Sequence, residues 1–242
     1  MIHFITYADS VFEKSKNRIF NEATSTGWFD TVSKYGPEDI DDNFKNRFKN
    51  VLSSKRGGGY WIWKPYFIKN KLNEINDGDI LIYLDAGCTI NKQGGLRFQE
   101  YIEMLNNSDE GTISFLLDRI ERNYTSKKIF DYLDVDINSD IANNSQTMAT
   151  ILILKKNSKT IKLVEIWNSV LYNDPLLFTD AYNKKEMNHQ DFIDNRHDQS
   201  IFSIIRKKNG SLMLDDETWF GGYDQFGKSV SKKFPFWSTR RK

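Results

Sequence analysis

Cysteine is nearly absent from this chain, which has only Cys88 among 242 residues. A single cysteine excludes an internal disulfide and a zinc site built on several cysteines, and it favours a reducing compartment. Charge of one sign is lacking too, because 34 Lys and Arg residues are balanced by 33 Asp and Glu residues. No overall field is available to attract nucleic acid or an anionic membrane, so any charged ligand must be held by local groups.

Long apolar runs are also missing. No stretch approaches the roughly 18 apolar residues of a membrane-spanning helix, and the first residues lack the basic leader and apolar core of a signal peptide. These absences predict a soluble, cytoplasmic protein. What the chain does have is length and 39% hydrophobic residues, which suit one large domain or two small ones and allow a sizeable core.

Strand and helix patterns alternate along the sequence. Residues 80–84 form a continuous apolar run, which is typical of a strand covered on both faces in a parallel sheet. No linker rich in Pro, Gly or Ser interrupts the alternation, so we predict one α/β domain over residues 1–220 and a basic, aromatic tail over 221–242. The predicted strands cover residues 2–6, 28–35, 80–84, 112–117, 148–154 and 211–214, and the predicted helices cover about 11–24, 38–53, 65–77, 127–134, 158–172 and 198–208.

The apolar run ends on Asp85-Ala86-Gly87. Ligands of open α/β sheets bind outside the carboxyl ends of the strands, so Asp85 is placed to contact one. Its carboxylate could hold a divalent cation or accept hydrogen bonds from ribose, and the two small residues leave room for a ligand to approach the backbone. The alternative is an Asp that caps the next turn.

A glycine-rich stretch precedes this strand. Arg56 is followed by three glycines, and Lys64 stands just before Pro65, which suits the first turn of a helix. A guanidinium, a backbone open to close approach and a helix N-terminus together predict a pyrophosphate clamp. Alternatively, the glycines only permit a sharp turn and the aromatic residues around them fill the core, which is the favoured interpretation for Trp61 and Phe67.

The order of these motifs resembles the nucleotide-sugar half of a GT-A glycosyltransferase of the type found in bacterial and viral polysaccharide synthesis. The resemblance spans roughly residues 2–215, and the order of the motifs is more specific than any one of them. The matching segments are Thr6-Tyr7-Ala8-Asp9 at the end of the first strand, residues 56–65, residues 80–87, the strand and helix over 148–172 that include Trp167, and Arg196-His197-Asp198-Gln199-Ser200.

The resemblance implies a single GT-A-like (Rossmann-like) domain with a mixed, mostly parallel central sheet flanked by helices. It also implies transfer of a hexose from a nucleotide-diphosphate donor to a glycan, a lipid-linked acceptor or another hydroxyl. No nucleic acid partner is expected. The donor-binding residues that it implies are Thr6, Tyr7, Asp9, Arg56, Tyr60, Lys64, Asp85, Ala86 and Gly87.

Candidate catalytic residues lie later in the chain. Asp198, with Gln199 beside it, begins a predicted helix after a polar loop that could form the rim of the site, so we predict that its carboxylate lies near the sugar or acceptor. An N-cap role for Asp198 is the alternative. We also predict that Asp118, Arg119 and His197 contact the sugar or acceptor, although surface salt bridges would equally explain the first two.

The metal motif of the family is usually Asp-x-Asp, but here Gly87 occupies the second acidic position. If Mn²⁺ or Mg²⁺ bridges the diphosphate, Asp85 would be one ligand, and His197 or Asp198 could complete the shell. If no metal binds, Arg56 and Lys64 would have to neutralise the leaving diphosphate.

The basic, aromatic tail could close over a diphosphate or make a peripheral contact with an anionic membrane that carries a lipid-linked acceptor. A solvated tail is the alternative.

Two other functions compete with glycosyl transfer. One is a sugar- or nucleotide-binding module that kept the fold and lost turnover. The other is a HAD-type phosphatase, suggested by Leu84-Asp85-Ala86-Gly87-Cys88-Thr89, which fits poorly because Gly87 replaces an Asp and the motif does not follow the first strand.

Overall fold

The structure is a computed structural model that describes residues 1–220 and 231–241. Its central sheet has seven strands in the order β2-β1-β3-β7-β5-β6, with β8 beside β5. Strands β1, β2, β3, β5 and β8 run in one direction, and β6 and β7 run against them, so the predicted mixed, mostly parallel sheet is confirmed. The strands are β1 (Ile2–Tyr7), β2 (Thr31–Tyr35), β3 (Ile80–Leu84), β5 (Thr112–Ile120), β6 (Ser145–Thr147), β7 (Ile151–Lys155) and β8 (Leu212–Asp215); a separate pair consists of β4 (Thr89–Ile90) and β9 (Phe236–Trp237).

Helices cover both faces of this sheet. Along β3 the side chains alternate, so that Leu81 and Tyr83 enter one hydrophobic core while Ile80, Ile82 and Leu84 enter the other. The first core includes residues of α5, α9 and α10, and the second includes residues of α1 and α6. The helices are α1 (Glu13–Thr26), α2 (Asp42–Arg47), α3 (Lys49–Leu52), α4 (Gly57–Tyr60), α5 (Trp63–Glu74), α6 (Gly95–Asn106), α7 (Lys127–Tyr132), α8 (Asp140–Asn143), α9 (Ser158–Asn173) and α10 (Asp198–Asn209).

Several predicted elements were wrong in extent or surroundings. The helix expected over 38–53 is divided into α2 and α3, and the strand expected over 148–154 begins only at Ile151, as β7. Strand β6, which precedes that range, was not predicted. Although β3 is buried on both faces as predicted, its neighbour β7 runs antiparallel to it. Burial on both faces produces a continuous apolar run whatever the direction of the neighbouring strand.

Helix α6 was not predicted, although its buried Phe98, Tyr101 and Leu105 follow the helical spacing i, i+3 and i+7. The same core contains Phe236, from the last part of the chain.

The last part of the chain returns to the loop after β3. Strand β9 pairs antiparallel with β4, and the amide of Asn91 donates to the carbonyl of Pro235 at 2.8 Å. The described part of the predicted tail, residues 231–241, therefore packs against the domain, while residues 221–230 and 242 lie outside the described residues. Within the part that is described, no helix is long and apolar enough to cross a membrane.

Candidate active site

A buried ion cluster lies at the carboxyl end of β3. The Lys64 ammonium is 2.8 Å from Asp198 Oδ2 and 3.2 Å from Asp85 Oδ1, and it donates to the carbonyl of Ala149 at 3.1 Å. Three elements meet here, because Lys64 belongs to α5, Asp85 follows β3 and Asp198 begins α10. Lys64 and Asp198 are buried, whereas 29% of the Asp85 side chain is exposed. The carboxylate that a ligand can reach is therefore that of Asp85.

The two carboxylates determine the charge of the buried lysine. Burial alone would lower the pKa of Lys64, but the charges of Asp198 and Asp85 outweigh this effect and raise that pKa above its ordinary value. Lys64 is therefore a full cation at neutral pH. Burial raises the pKa of Asp198, and the Lys64 ammonium opposes that rise. Because the Tyr83 hydroxyl also donates to Asp85 Oδ1, a hydroxyl and an ammonium together orient the exposed carboxylate.

Asp198 does not cap its helix. His197 occupies the N-cap position of α10, and Asp198 is in the first turn with its carboxylate directed at Lys64. The N-cap interpretation was therefore wrong. Gln199, the next residue, donates to Gln146 Oε1 at 2.7 Å and accepts from the backbone amide of Ala149 at 3.2 Å. Gln199 thus fastens the start of α10 to the segment that connects β6 and β7.

The glycine stretch forms a left-handed turn. Five consecutive residues from Gly57 to Trp61 have φ values between 55° and 94°, a conformation in which only glycine avoids steric strain. At Gly59 the crowding adds to this requirement, since a Cβ there would lie 2.8 Å from Leu52 Cα. The glycines therefore allow the chain to make a sharp turn, which was the structural one of the two interpretations. This role does not conflict with a ligand contact at the same turn.

The turn presents Arg56 and Tyr60 to a second polar cluster. Arg56 lies 2.9 Å from Asp180 and 3.7 Å from Asp194, and the Tyr60 hydroxyl donates to Asp180 at 3.1 Å. His197 Nε2 is 2.9 Å from the other oxygen of Asp180. Burial raises the pKa of Asp180, but hydrogen bonds from His197 and Tyr60 and the charge of Arg56 hold it below its usual range. Asp180 is thus a stable anion.

His197 has a strained backbone. Its φ of 59° and ψ of −123° lie in a region that side chains other than glycine rarely adopt. The ring is buried, bonded to Asp180, and lies within 5.4 Å of the Tyr60 ring and 5.2 Å of the Trp61 ring, measured between centroids. Such strain persists only where surrounding contacts impose it, and it is frequent at functional sites. Trp61, expected in the core, is partly buried against the main hydrophobic cluster.

Three more arginines interact near this edge of the sheet, since the charges of Arg119 and Arg240 both act on Arg196. Arg119 and Arg196 both pack on the ring of Tyr124, with their guanidinium carbons 5.0 Å and 5.2 Å from its centroid. Arg240 lies over Gly87. Asp118, the other predicted residue at this strand end, is exposed.

Of the three predicted donor residues at the end of β1, Thr6 and Tyr7 are engaged by other parts of the protein. Thr6 is buried and donates to the carbonyl of Leu84 at 2.8 Å, and Tyr7 stacks on Trp63 with ring centroids 3.9 Å apart. Asp9 is half-buried, accepts from the amide of Val11 at 3.0 Å and faces Gly58. Of the three, Asp9 has the side chain placed to meet a ligand.

The backbone after Asp85 is enclosed by distant segments. Arg18 donates to the carbonyl of Ala86 at 2.9 Å, and the carbonyl of Gly87 accepts from Thr239 Oγ1 and from the amide of Arg241, each at 2.9 Å. These contacts hold the backbone of Ala86 against Arg18 and that of Gly87 against residues 239–241. Ala86 and Gly87 were both predicted to bind the donor.

The described side chains at this site do not form a metal-binding cluster by themselves. Over residues 1–220 and 231–241, no three His, Cys, Asp or Glu side chains are grouped so that they could hold a metal ion. Asp85 shares Oδ1 with the Lys64 ammonium, which would repel a cation bound there. His197, predicted as a further ligand, is engaged by Asp180.

From the sequence, Lys64, Asp85 and Asp198 were predicted at one site, and Arg56, Tyr60 and His197 around it. It missed Asp180, which joins the last three, and it assigned no role to Arg18, Arg196 or Thr239. Asp180 lies in a polar loop beside a second stretch rich in carboxylates, and this position is the sequence signal that could have identified it. The loop sequence alone does not specify which cation Asp180 contacts.

Comparison with known proteins identifies the fold. No protein-family model matches the sequence, and no curated protein matches it significantly. Among solved structures, a glycosyltransferase involved in the glycosylation of the major capsid of PBCV-1 is similar over 97% of this chain and 91% of its own, with a TM-score of 0.52 and 9% identity. Mouse xyloside xylosyltransferase 1 is similar over 98% of this chain and 97% of its own, with a TM-score of 0.51 and 10% identity. The predicted GT-A fold is thereby confirmed.

Proposed function

We propose, from the GT-A fold as premise, that the protein transfers a sugar from a nucleotide-diphosphate donor to a hydroxyl acceptor. The observation that carries this proposal is the convergence of Asp85, Lys64 and Asp198 at the carboxyl end of β3. In open α/β sheets that edge is where ligands bind. Both of the solved structures compared above are similar over nearly the whole chain and are glycosyltransferases, which supports the same chemistry here.

Glycosyl transfer requires that the donor be positioned and that the charge on its departing diphosphate be stabilised. We assign the first task to Asp85, whose exposed carboxylate can accept hydrogen bonds from donor hydroxyls. Lys64 and Asp198 are buried and ion-paired, so we assign them the positioning of Asp85. A carboxylate held by an ammonium and a hydroxyl loses little freedom when the donor binds.

The acceptor side is assigned to the polar cluster beside His197. Tyr60 offers an aromatic face and a hydroxyl, and Asp180 and Arg56 offer an acceptor and donors for sugar hydroxyl groups. The acceptor in this proposal is a glycan or another molecule that presents a hydroxyl group. A hexose as the transferred sugar remains part of the proposal.

The two competing functions are supported to different degrees. A module that binds nucleotide-sugars without turnover is favoured by one observation, the glycine at the second position of Asp-x-Asp. A HAD-type phosphatase is disfavoured by the GT-A fold and by the position of Asp85 after β3, which follows two strands and five helices in the chain.

A panel of UDP-, GDP-, CMP- and dTDP-sugars tests the proposal, with and without Mn²⁺. We expect at least one donor to raise the unfolding temperature, because a ligand at about 100 times its Kd adds roughly 2.7 kcal/mol of stability. The same donor should release its nucleotide, slowly to water and faster when hydroxyl acceptors are added. Stabilisation without nucleotide release would favour the binding module, and neither effect with any donor would refute a donor site.

A further inference from the structure

We propose that Arg119, Arg196 and Arg240 bind the diphosphate of the donor and do the work of a protein-bound divalent cation. The inference rests on the proposed function, since it names the diphosphate subsite of the same site. It differs from the sequence prediction, which assigned the diphosphate to Arg56 and Lys64 and placed Arg119 at the sugar or acceptor.

The position of Arg240 explains why residue 87 is a glycine. A Cβ on Gly87 would lie 3.2 Å from Arg240 Cα and 3.5 Å from its carbonyl carbon. Any side chain at position 87, including the second Asp of an Asp-x-Asp motif, would meet this backbone. Residues 239–241 are held there by the two hydrogen bonds to the Gly87 carbonyl, so the backbone of Arg240 leaves little room for a side chain at position 87.

Arg119 and Arg196 approach from two other elements. Arg119 is near the end of β5, which runs in the same direction as β3, so both strands deliver their last residues to one edge of the sheet. Arg196 comes two residues before Asp198, which is ion-paired with Lys64 in the cluster that includes Asp85. The ring of Tyr124 lies against both guanidinium groups and fixes their position.

Within residues 1–220 and 231–241, none of these three arginines has a carboxylate partner. Among the described residues, no carboxylate lies within 4.0 Å of any of the three guanidinium groups, and Arg196 Nε is buried without a hydrogen-bond partner. Four other arginines form ion pairs: Arg18 with Glu22, Arg56 with Asp180, Arg97 with Glu217 and Arg122 with Asp191. Arg47 and Arg206 lack a carboxylate partner among the described residues, but each donates to backbone carbonyl groups. A group of unpaired cations at a ligand-binding edge is what an anionic ligand requires.

The electrostatic surroundings of Arg196 support the same conclusion. Burial lowers the pKa of Arg196, the charge of Arg119 lowers it further, and that of Arg240 contributes, while Asp194 opposes the shift. A bound anion would relieve this repulsion. Of the phosphate groups that guanidinium groups recognise, a diphosphate carries enough charge and oxygen atoms to engage three of them, and guanidinium forks match phosphate oxygens well.

Arg56 and Lys64 are less suited to this role. Arg56 is shared between Asp180 and Asp194, and Lys64 is buried between two carboxylates. Each already has its charge balanced, so neither offers a free cation to a diphosphate.

The test is isothermal titration of UDP, GDP, CDP, ADP and dTDP into the full chain in EDTA. We expect at least one nucleoside diphosphate to bind without a metal, and Arg119→Gln, Arg196→Gln and Arg240→Gln each to weaken it by about 10- to 100-fold. Arg122→Gln is the matched control, because Arg122 is paired with Asp191, and it should bind as the wild type does. Arg240 is exposed on a terminal segment, so its replacement leaves the domain folded even if Arg196→Gln does not.

Each other outcome refutes a specific statement. Binding that disappears in EDTA, or that survives all three substitutions, would overturn the arginine subsite and leave glycosyl transfer standing. Failure of every nucleoside diphosphate to bind, with or without Mn²⁺, would overturn the proposed function and the subsite with it. A loss equal in Arg122→Gln and the three variants would show a general charge effect and no subsite.

Discussion

Replacing Lys64 with methionine should lower the free energy of unfolding by about 3–5 kcal/mol, because it leaves the buried carboxylate of Asp198 and the partly exposed carboxylate of Asp85 without their cation. Lys64 is 2% exposed and is the cation nearest to both Asp85 and Asp198. Methionine keeps most of the volume, so the loss reports the charge and not a cavity. Urea-induced unfolding, followed by fluorescence of the six tryptophans, measures the change.

Two further variants make this result specific. Lys127 forms an exposed ion pair with Asp131, so Lys127→Met should cost less than about 1 kcal/mol. Adding Asp198→Asn to Lys64→Met should recover part of the lost stability, since it removes one unpaired charge. If Lys64→Met costs no more than Lys127→Met, the ion cluster does not hold the three elements together.

Asp85→Asn should lower kcat for donor turnover by about 100- to 1000-fold, the range found when one preorganised electrostatic group is removed from an active site. Asn keeps the shape of the side chain but loses the charge that orients it against Lys64. Nucleotide release from the donor selected by the panel is the measurement. The unfolding temperature should change little, because Asp85 is partly exposed.

Asp77→Asn is the matched control at the opposite end of the same strand. Asp77 precedes β3, its side chain is 86% exposed, and its pairing with Lys156 at 3.7 Å is weak. This variant should turn over donor at the wild-type rate. Wild-type turnover in Asp85→Asn as well would reduce Asp85 to a structural residue at the end of β3.

Local sequence patterns predicted the parts of the site that lie next to regular elements. The apolar run over 80–84 specified a strand buried on both faces, and its end therefore placed Asp85 at the ligand-binding edge. Lys64 next to Pro65 and Asp198 at the start of a helix were likewise located by their elements. Once the order of motifs had suggested the fold, these three residues could be expected at one site.

The partners across the chain could not be predicted in this way. Arg56 meets Asp180 across 124 residues, and Thr239 meets Gly87 across 152. Neither contact produces a periodic pattern in the sequence, because periodicity shows which face of an element is buried and not which loop covers its end. From the sequence, Gly87 could be interpreted only as the position of a missing carboxylate. The structure shows that Arg240 lies against Gly87.

The central statement is that the donor binds at the carboxyl ends of β1 and β3, beside Asp85. The most direct measurement is a crystal structure of the wild-type protein with a hydrolysis-resistant analogue of the donor that the panel selects. We expect the sugar within hydrogen-bond distance of Asp85 and the diphosphate between Arg119, Arg196 and Arg240. A donor analogue bound elsewhere on the molecule, with Asp85 and the three arginines free of contact, would contradict the account.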